Sequence, residues 1–119
     1  MGTAEIRTAL GTVSISEHVL AIIARDTALQ IDGVVSMDDR YSHGISSVIS
    51  DEDAEGVRVS IRNKNVIIDL YICVKHGMRI PAVALQLQET VKENIFQYTG
   101  ITVAEVNVNV QQIVFGAAR

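Results

Sequence analysis

Apolar and polar positions alternate most strictly between Asn65 and Lys75. Val66, Ile68, Leu70, Ile72 and Val74 are large aliphatics at every second position, the period of a strand with one face in a core. The intervening Ile67, Asp69, Tyr71, Cys73 and Lys75 are mixed in character. A second alternation precedes this one, with Val57, Val59 and Ile61 inward and Arg58, Ser60 and Arg62 outward. If Asn63-Lys64 is a two-residue turn, Arg62 meets Asn65, Ile61 meets Val66, Val59 meets Ile68 and Val57 meets Leu70. Every inward residue then faces an inward residue, and Arg58 lies opposite Asp69. A four-residue loop of the same parity keeps the faces unchanged.

Helical spacing occupies two stretches. Leu20, Ile23, Ala24, Thr27, Ala28 and Ile31 recur on one face, with Ser16 or Ser14 as cap and Asp32-Gly33 as stop. Pro81 opens the second stretch, where Ala84, Leu87, Val91, Ile95 and Tyr98 recur until Thr99-Gly100. Short strands are expected at Thr12–Ser16 and Val34–Met37, and a longer one carries Ala104, Val106, Val108 and Val110 inward. The predicted order is β-α-β-β-β-α-β. That order makes an α+β two-layer sandwich, a mixed sheet with two helices on one face, of ferredoxin-like or KH-like plait type. Residues 1–10 read as a flexible arm, 11–115 as a single domain, 38–55 as a Ser- and acid-rich mobile loop, and 116–119 as a tail.

Composition narrows the function. The 119 residues carry a net charge of −4, no Trp, three Tyr, two Phe and one Cys. Acidity and few aromatics argue against a nucleic-acid surface. A lone cysteine makes no intrachain disulfide and fits a reducing, cytoplasmic setting. No apolar run reaches the roughly 18 residues of a spanning helix, so direct membrane insertion is not expected.

Candidate chemistry is sparse. Cys73, Lys75 and His76 are close in sequence, but no third group orients His76 as a base. His18, His43 and His76 lack ligand spacing, so neither a metal nor another cofactor is expected. Gly77 and Arg79, between strand and helix, fit a weak anion-binding loop as well as a plain tight connection. A KH module wants a second glycine where Ile80 stands. The second face of the sheet is the better candidate, since Ile67, Tyr71 and Cys73 make an apolar island among Arg58, Arg62 and Asp69. An island inside a polar rim has the anatomy of a modest interface.

The chain resembles the alkaline shock protein family of general-stress and envelope-stress proteins from Gram-positive bacteria. The resemblance is carried by Gly11-Thr-Val-Ser-Ile-Ser-Glu-His-Val-Leu-Ala-Ile-Ile-Ala, Ile31-Asp-Gly-Val34, Val66-Ile-Ile-Asp-Leu-Tyr-Ile-Cys-Val, Gly77-Met-Arg-Ile-Pro-Ala-Val-Ala, Leu87-Gln-Glu-Thr-Val-Lys, Thr99-Gly-Ile and Val106-Asn-Val-Asn-Val110. It implies a cytoplasmic, non-enzymatic protein that forms homo-oligomers, in some members with a membrane-anchored protein as partner. The short tail resembles the compact branch of the family. The expected function is an interaction or scaffold role in envelope stress or homeostasis. The alternatives are a regulatory module for an enzyme or small ligand of lipid metabolism and, more remotely, an RNA-binding plait.

Overall fold

The computed structural model describes residues 3–38 and 56–116. Its elements are β1 (Thr3–Thr8), β2 (Gly11–Ser16), α1 (Glu17–Leu29), β3 (Val34–Met37), β4 (Val57–Arg62), β5 (Asn65–Lys75), α2 (Ile80–Thr99) and β6 (Val103–Val114). The anticipated loop at 38–55 falls outside the described residues apart from Asp38, and the tail at 116–119 apart from Gly116.

The β4–β5 hairpin has the register that parity requires. Arg62 pairs with Asn65, Ile61 with Val66, Val59 with Ile68 and Val57 with Leu70. Asn63 and Lys64 have φ of 49° and 69°, both left-handed, as a two-residue type I′ turn demands. On its other side β5 pairs in parallel with β6, and α2 provides the crossover between them. The helices pack on each other and on the same face of this sheet. Between them and the sheet lies the core of Leu20, Ala24, Ile68, Leu70, Ile72, Leu87, Val91 and Ile95. This is the mixed two-layer α+β sandwich expected from the element order.

One strand of that sheet is split. β3 pairs antiparallel with β5 from Val74 to Ile72, and β4 takes over from Leu70. At the join, the Asp38 amide donates to the Tyr71 carbonyl and the Tyr71 amide donates to the Gly56 carbonyl, both at 2.8 Å. β3 and β4 therefore lie end to end along one edge of β5, and the chain between them leaves and returns opposite Tyr71. Gly56 has φ +72°, and a Cβ there would lie 2.6 Å from the Met37 Cβ.

The structure corrects several local expectations. Within the segment read as a loose arm, Thr3–Thr8 is a strand that pairs along its whole length with Gly11–Ser16. That hairpin forms its own two-stranded sheet, and Ala4 is buried in the core, with Ile6 and Ile15 packed against it. Ser16 is the cap of α1, its Oγ accepting from the Val19 amide at 3.2 Å. The helix ends at Leu29, before Gly33, with Gln30 in right-handed conformation as its C-cap. The buried stripe of α2 is Val83, Leu87, Val91 and Ile95, whereas Tyr98 is exposed. Gly100 caps that helix at φ 78°, as its sequence position predicts. In β6 a register shift falls beside Ala104, so Val103 and Val106 are buried and Ala104 faces solvent.

Candidate functional site

Because α1 and α2 cover one face of the sheet, the opposite face, which no helix among the described residues covers, carries the alternate row of β5. Ile67, Asp69, Tyr71 and Lys75 on that row are half-buried. Arg58 and Arg62 stand exposed on β4, and on β6 Glu105 pairs with Ile67, Asn107 with Asp69 and Asn109 with Tyr71. Arg58 lies opposite Asp69 as the hairpin parity requires, but the two register partners form no ion pair. The Asp69 carboxylate instead accepts from Asn107 Nδ2 at 2.8 Å, across the parallel side of the strand. Asn109 Nδ2 donates to the Leu70 carbonyl at 3.2 Å. These amides hold down the β6 side of the face, while the two guanidinium groups remain on the β4 side.

Cys73 departs from its anticipated role. It lies on the same row but is only 6% exposed, between Ser36 and Gln112 in register, so it adds no accessible surface to the island. A buried thiol is also poorly placed for nucleophilic or redox chemistry. His76 is exposed and stacks on Phe115, with ring centroids 4.3 Å apart. His43 lies outside the described residues. Among the described residues no group of three or more His, Cys, Asp or Glu is placed to hold a metal ion.

At the Gly77–Arg79 connection, the Met78 amide donates to the Lys75 carbonyl at 3.4 Å. The Ala82 and Val83 amides both donate to the Arg79 carbonyl at 3.1 Å. The Met78, Ala82 and Val83 amides are thus engaged in closing the turn and the first turn of α2. Gly77, at φ +97°, has open space around it. This is the geometry of a tight strand-to-helix connection.

Two features escaped sequence reasoning. Asn94 Nδ2 donates to the buried Thr27 Oγ1 at 3.0 Å, tying α2 to α1. Along the outer edge of β6, Gln88 Nε2 reaches the Val106 carbonyl at 3.0 Å and Lys92 Nζ reaches the Ala104 carbonyl at 3.3 Å. These side chains line an open groove of about 420 Å³ between α2 and β6. Both features join residues far apart in sequence, and a polar residue on a helix surface gives no local sign of its partner.

The fold and this face define a small two-layer domain with a polar-rimmed sheet surface. A family model described as the alkaline shock protein 23 family, with cell envelope-related function, matches residues 5–115. The chain belongs to that family. It is 33% identical over 112 residues to the uncharacterized protein YloU of Bacillus subtilis, covering 92% of this chain and 93% of that one. It is 30% identical over 109 residues to YqhY of the same organism, covering 91% and 81%. The Streptococcus pyogenes protein Spy1614 is 32% identical over 114 residues, covering 93% and 94%. Among solved structures, the copper form of the MamM CTD aligns over 87% of this chain and 96% of its own. With a TM-score of 0.49 and 13% identity, the likeness is too slight to carry fold or function across. Among the described residues no helix is long and apolar enough to cross a membrane.

Proposed function

We propose that this chain is a non-enzymatic interaction protein of the cell envelope, docking a protein partner on the helix-free face of its sheet. The observation that carries this reading is the one-sided packing of the helices. It leaves Ile67 and Tyr71 half-buried beside the exposed guanidinium groups of Arg58 and Arg62. A fitting partner sets apolar side chains over Ile67 and Tyr71 and a carboxylate against Arg58 or Arg62. Apolar contact at the centre with charge at the rim is how such interfaces are built. The family's cell envelope-related function supports the setting. Burial of Cys73, which keeps its thiol from a substrate, supports a role without catalysis.

Tyr71→Glu tests the reading. Tyr71 sits on the row opposite the core, so the variant is expected to keep the wild-type circular dichroism spectrum and a cooperative melt. In cell extract, size-exclusion chromatography with immunodetection is expected to place wild type in a high-mass complex and the variant outside it. A folded variant that elutes with the same complex places the partner elsewhere.

A further inference from the structure

The two edges of the sheet are defended differently. The β3–β4 edge is broken after Asp38 and carries Arg58 and Arg62. Breaks and charges of this kind block strand addition. Among the described residues, the β6 edge is defended only at its start, where Gln88 and Lys92 occupy the carbonyls of Val106 and Ala104. Beyond that point the sequence Val106-Asn-Val-Asn-Val-Gln-Gln-Ile-Val-Phe-Gly116 contains no charged residue and no proline. The pairing with β5 determines which backbone groups remain. Leu70 is the register partner of Val108, so the polar groups of Asn107 and Asn109 point toward β5 and those of Val108 and Val110 point away from it. The register shift after Val110 ends this open stretch. Exposed apolar side chains flank it, Leu85 at 55% on α2 and Ile113 at 45% on β6.

We infer that the open segment of β6 is a self-pairing edge that joins two copies of this chain antiparallel about a two-fold axis at Asn109. Val108 of each copy then exchanges hydrogen bonds with Val110 of the other. The valine side chains of both copies lie on the helix side, and the Asn109 side chains meet on the helix-free side. The segment's lack of charge selects this occupant, because a charged strand finds no counter-ion here and an identical neutral strand needs none. The two-fold operation also keeps α1 and α2 of both copies on one side, where Leu85 and Ile113 become buried. The ladder is only two residue pairs long, well short of the roughly 1,600 Å² of a standard stable interface, so the dimer is weak and concentration-dependent. It does not involve Tyr71 and is therefore independent of the docking face proposed above.

The test is sedimentation velocity across a concentration series, with amide hydrogen exchange measured at the two ends of the series. Wild type is expected to pass from monomer to dimer. Over the same range, exchange should slow at Val108 and Val110 but stay constant at Asn107 and Asn109, whose amides face β5. Val108→Pro removes one outward donor from an edge strand, where proline is tolerated, and is expected to abolish the dimer. Leu85→Glu, at an exposed helix position, provides a second variant should the proline disturb folding, and is also expected to abolish it. Tyr71→Glu is expected to dimerise like wild type, so failure of the docking face and failure of this edge are separable. A folded wild type that stays monomeric throughout overturns the inference. So does a dimer that survives Leu85→Glu without slowed exchange at Val108 and Val110.

Discussion

Leu70→Ala is expected to be among the most destabilising single substitutions in the chain, costing roughly 2–5 kcal/mol. Leu70 has no solvent exposure and sits in the middle of β5, with Val57 as its partner on one side and Val108 on the other. Truncation removes the transfer free energy of the side chain and leaves a cavity that cannot readily collapse. The flanking Ile68 and Ile72 are also fully buried, and their positions are fixed by strand pairing on both sides. Val13→Ala, in the β1–β2 hairpin at a position 46% exposed, is the control and should shift stability by less than about 1 kcal/mol. Urea midpoints for the two variants measure the difference. A reversed order would mean that Leu70 is not at the centre of the core.

Gly56→Ala is expected to be nearly as costly for a different reason. Gly56 is where the edge strand resumes, and its carbonyl accepts from the Tyr71 amide. Its φ of +72° is left-handed, and an added Cβ would lie 2.6 Å from the Met37 Cβ and 3.0 Å from the Tyr71 carbonyl oxygen. Backbone strain together with forced displacement of Met37 gives a cost of roughly 2–4 kcal/mol. Gly77→Ala separates the two contributions. Gly77 also has positive φ, at +97°, but nothing lies within 4 Å of its added Cβ, so only the backbone cost applies. Equal losses of stability in the two variants would show that the join between β3 and β4 is looser than the geometry implies.

Local periodicity accounts for most of the fold. The β4–β5 register follows from parity because a two-residue loop between alternating rows leaves no freedom once the inward faces must coincide. Ser16 and Gly100 are legible for a similar reason, since a helix end needs a specific side chain or backbone conformation at one position. The strand at Thr3–Thr8 was illegible because only Ala4 and Ile6 alternate inward, too little to distinguish a strand from a loose segment. In α2, Leu87, Val91 and Ile95 lie on the buried stripe under either reading, and tertiary packing decides for Val83 over Tyr98. That β3 and β4 share one edge is a non-local fact, carried by their common partner β5 and by nothing in either segment.

The candidate surface was legible to about the same depth. Alternation along β5 placed Ile67, Asp69, Tyr71 and Cys73 on one row, and the structure keeps them there. Alternation could not show that Cys73 is buried, nor that Asp69 takes Asn107 rather than Arg58 as its partner. Both outcomes depend on neighbours from strands distant in sequence. The capping of β6 by Gln88 and Lys92 was hidden for the same reason, since helix spacing marks these residues only as solvent-facing.

The central claim is that the helix-free face of the sheet meets another protein. Site-specific photo-crosslinking in the native cell tests it most directly, with the reactive side chain placed at Ile67 in one variant and at Gln86, exposed on α2, in another. The Ile67 position is expected to give a discrete protein adduct that disappears when Tyr71→Glu is added, and the Gln86 position is expected to give none. Adducts from Gln86 alone, or an Ile67 adduct indifferent to Tyr71→Glu, would contradict the account and move the docking surface off the sheet.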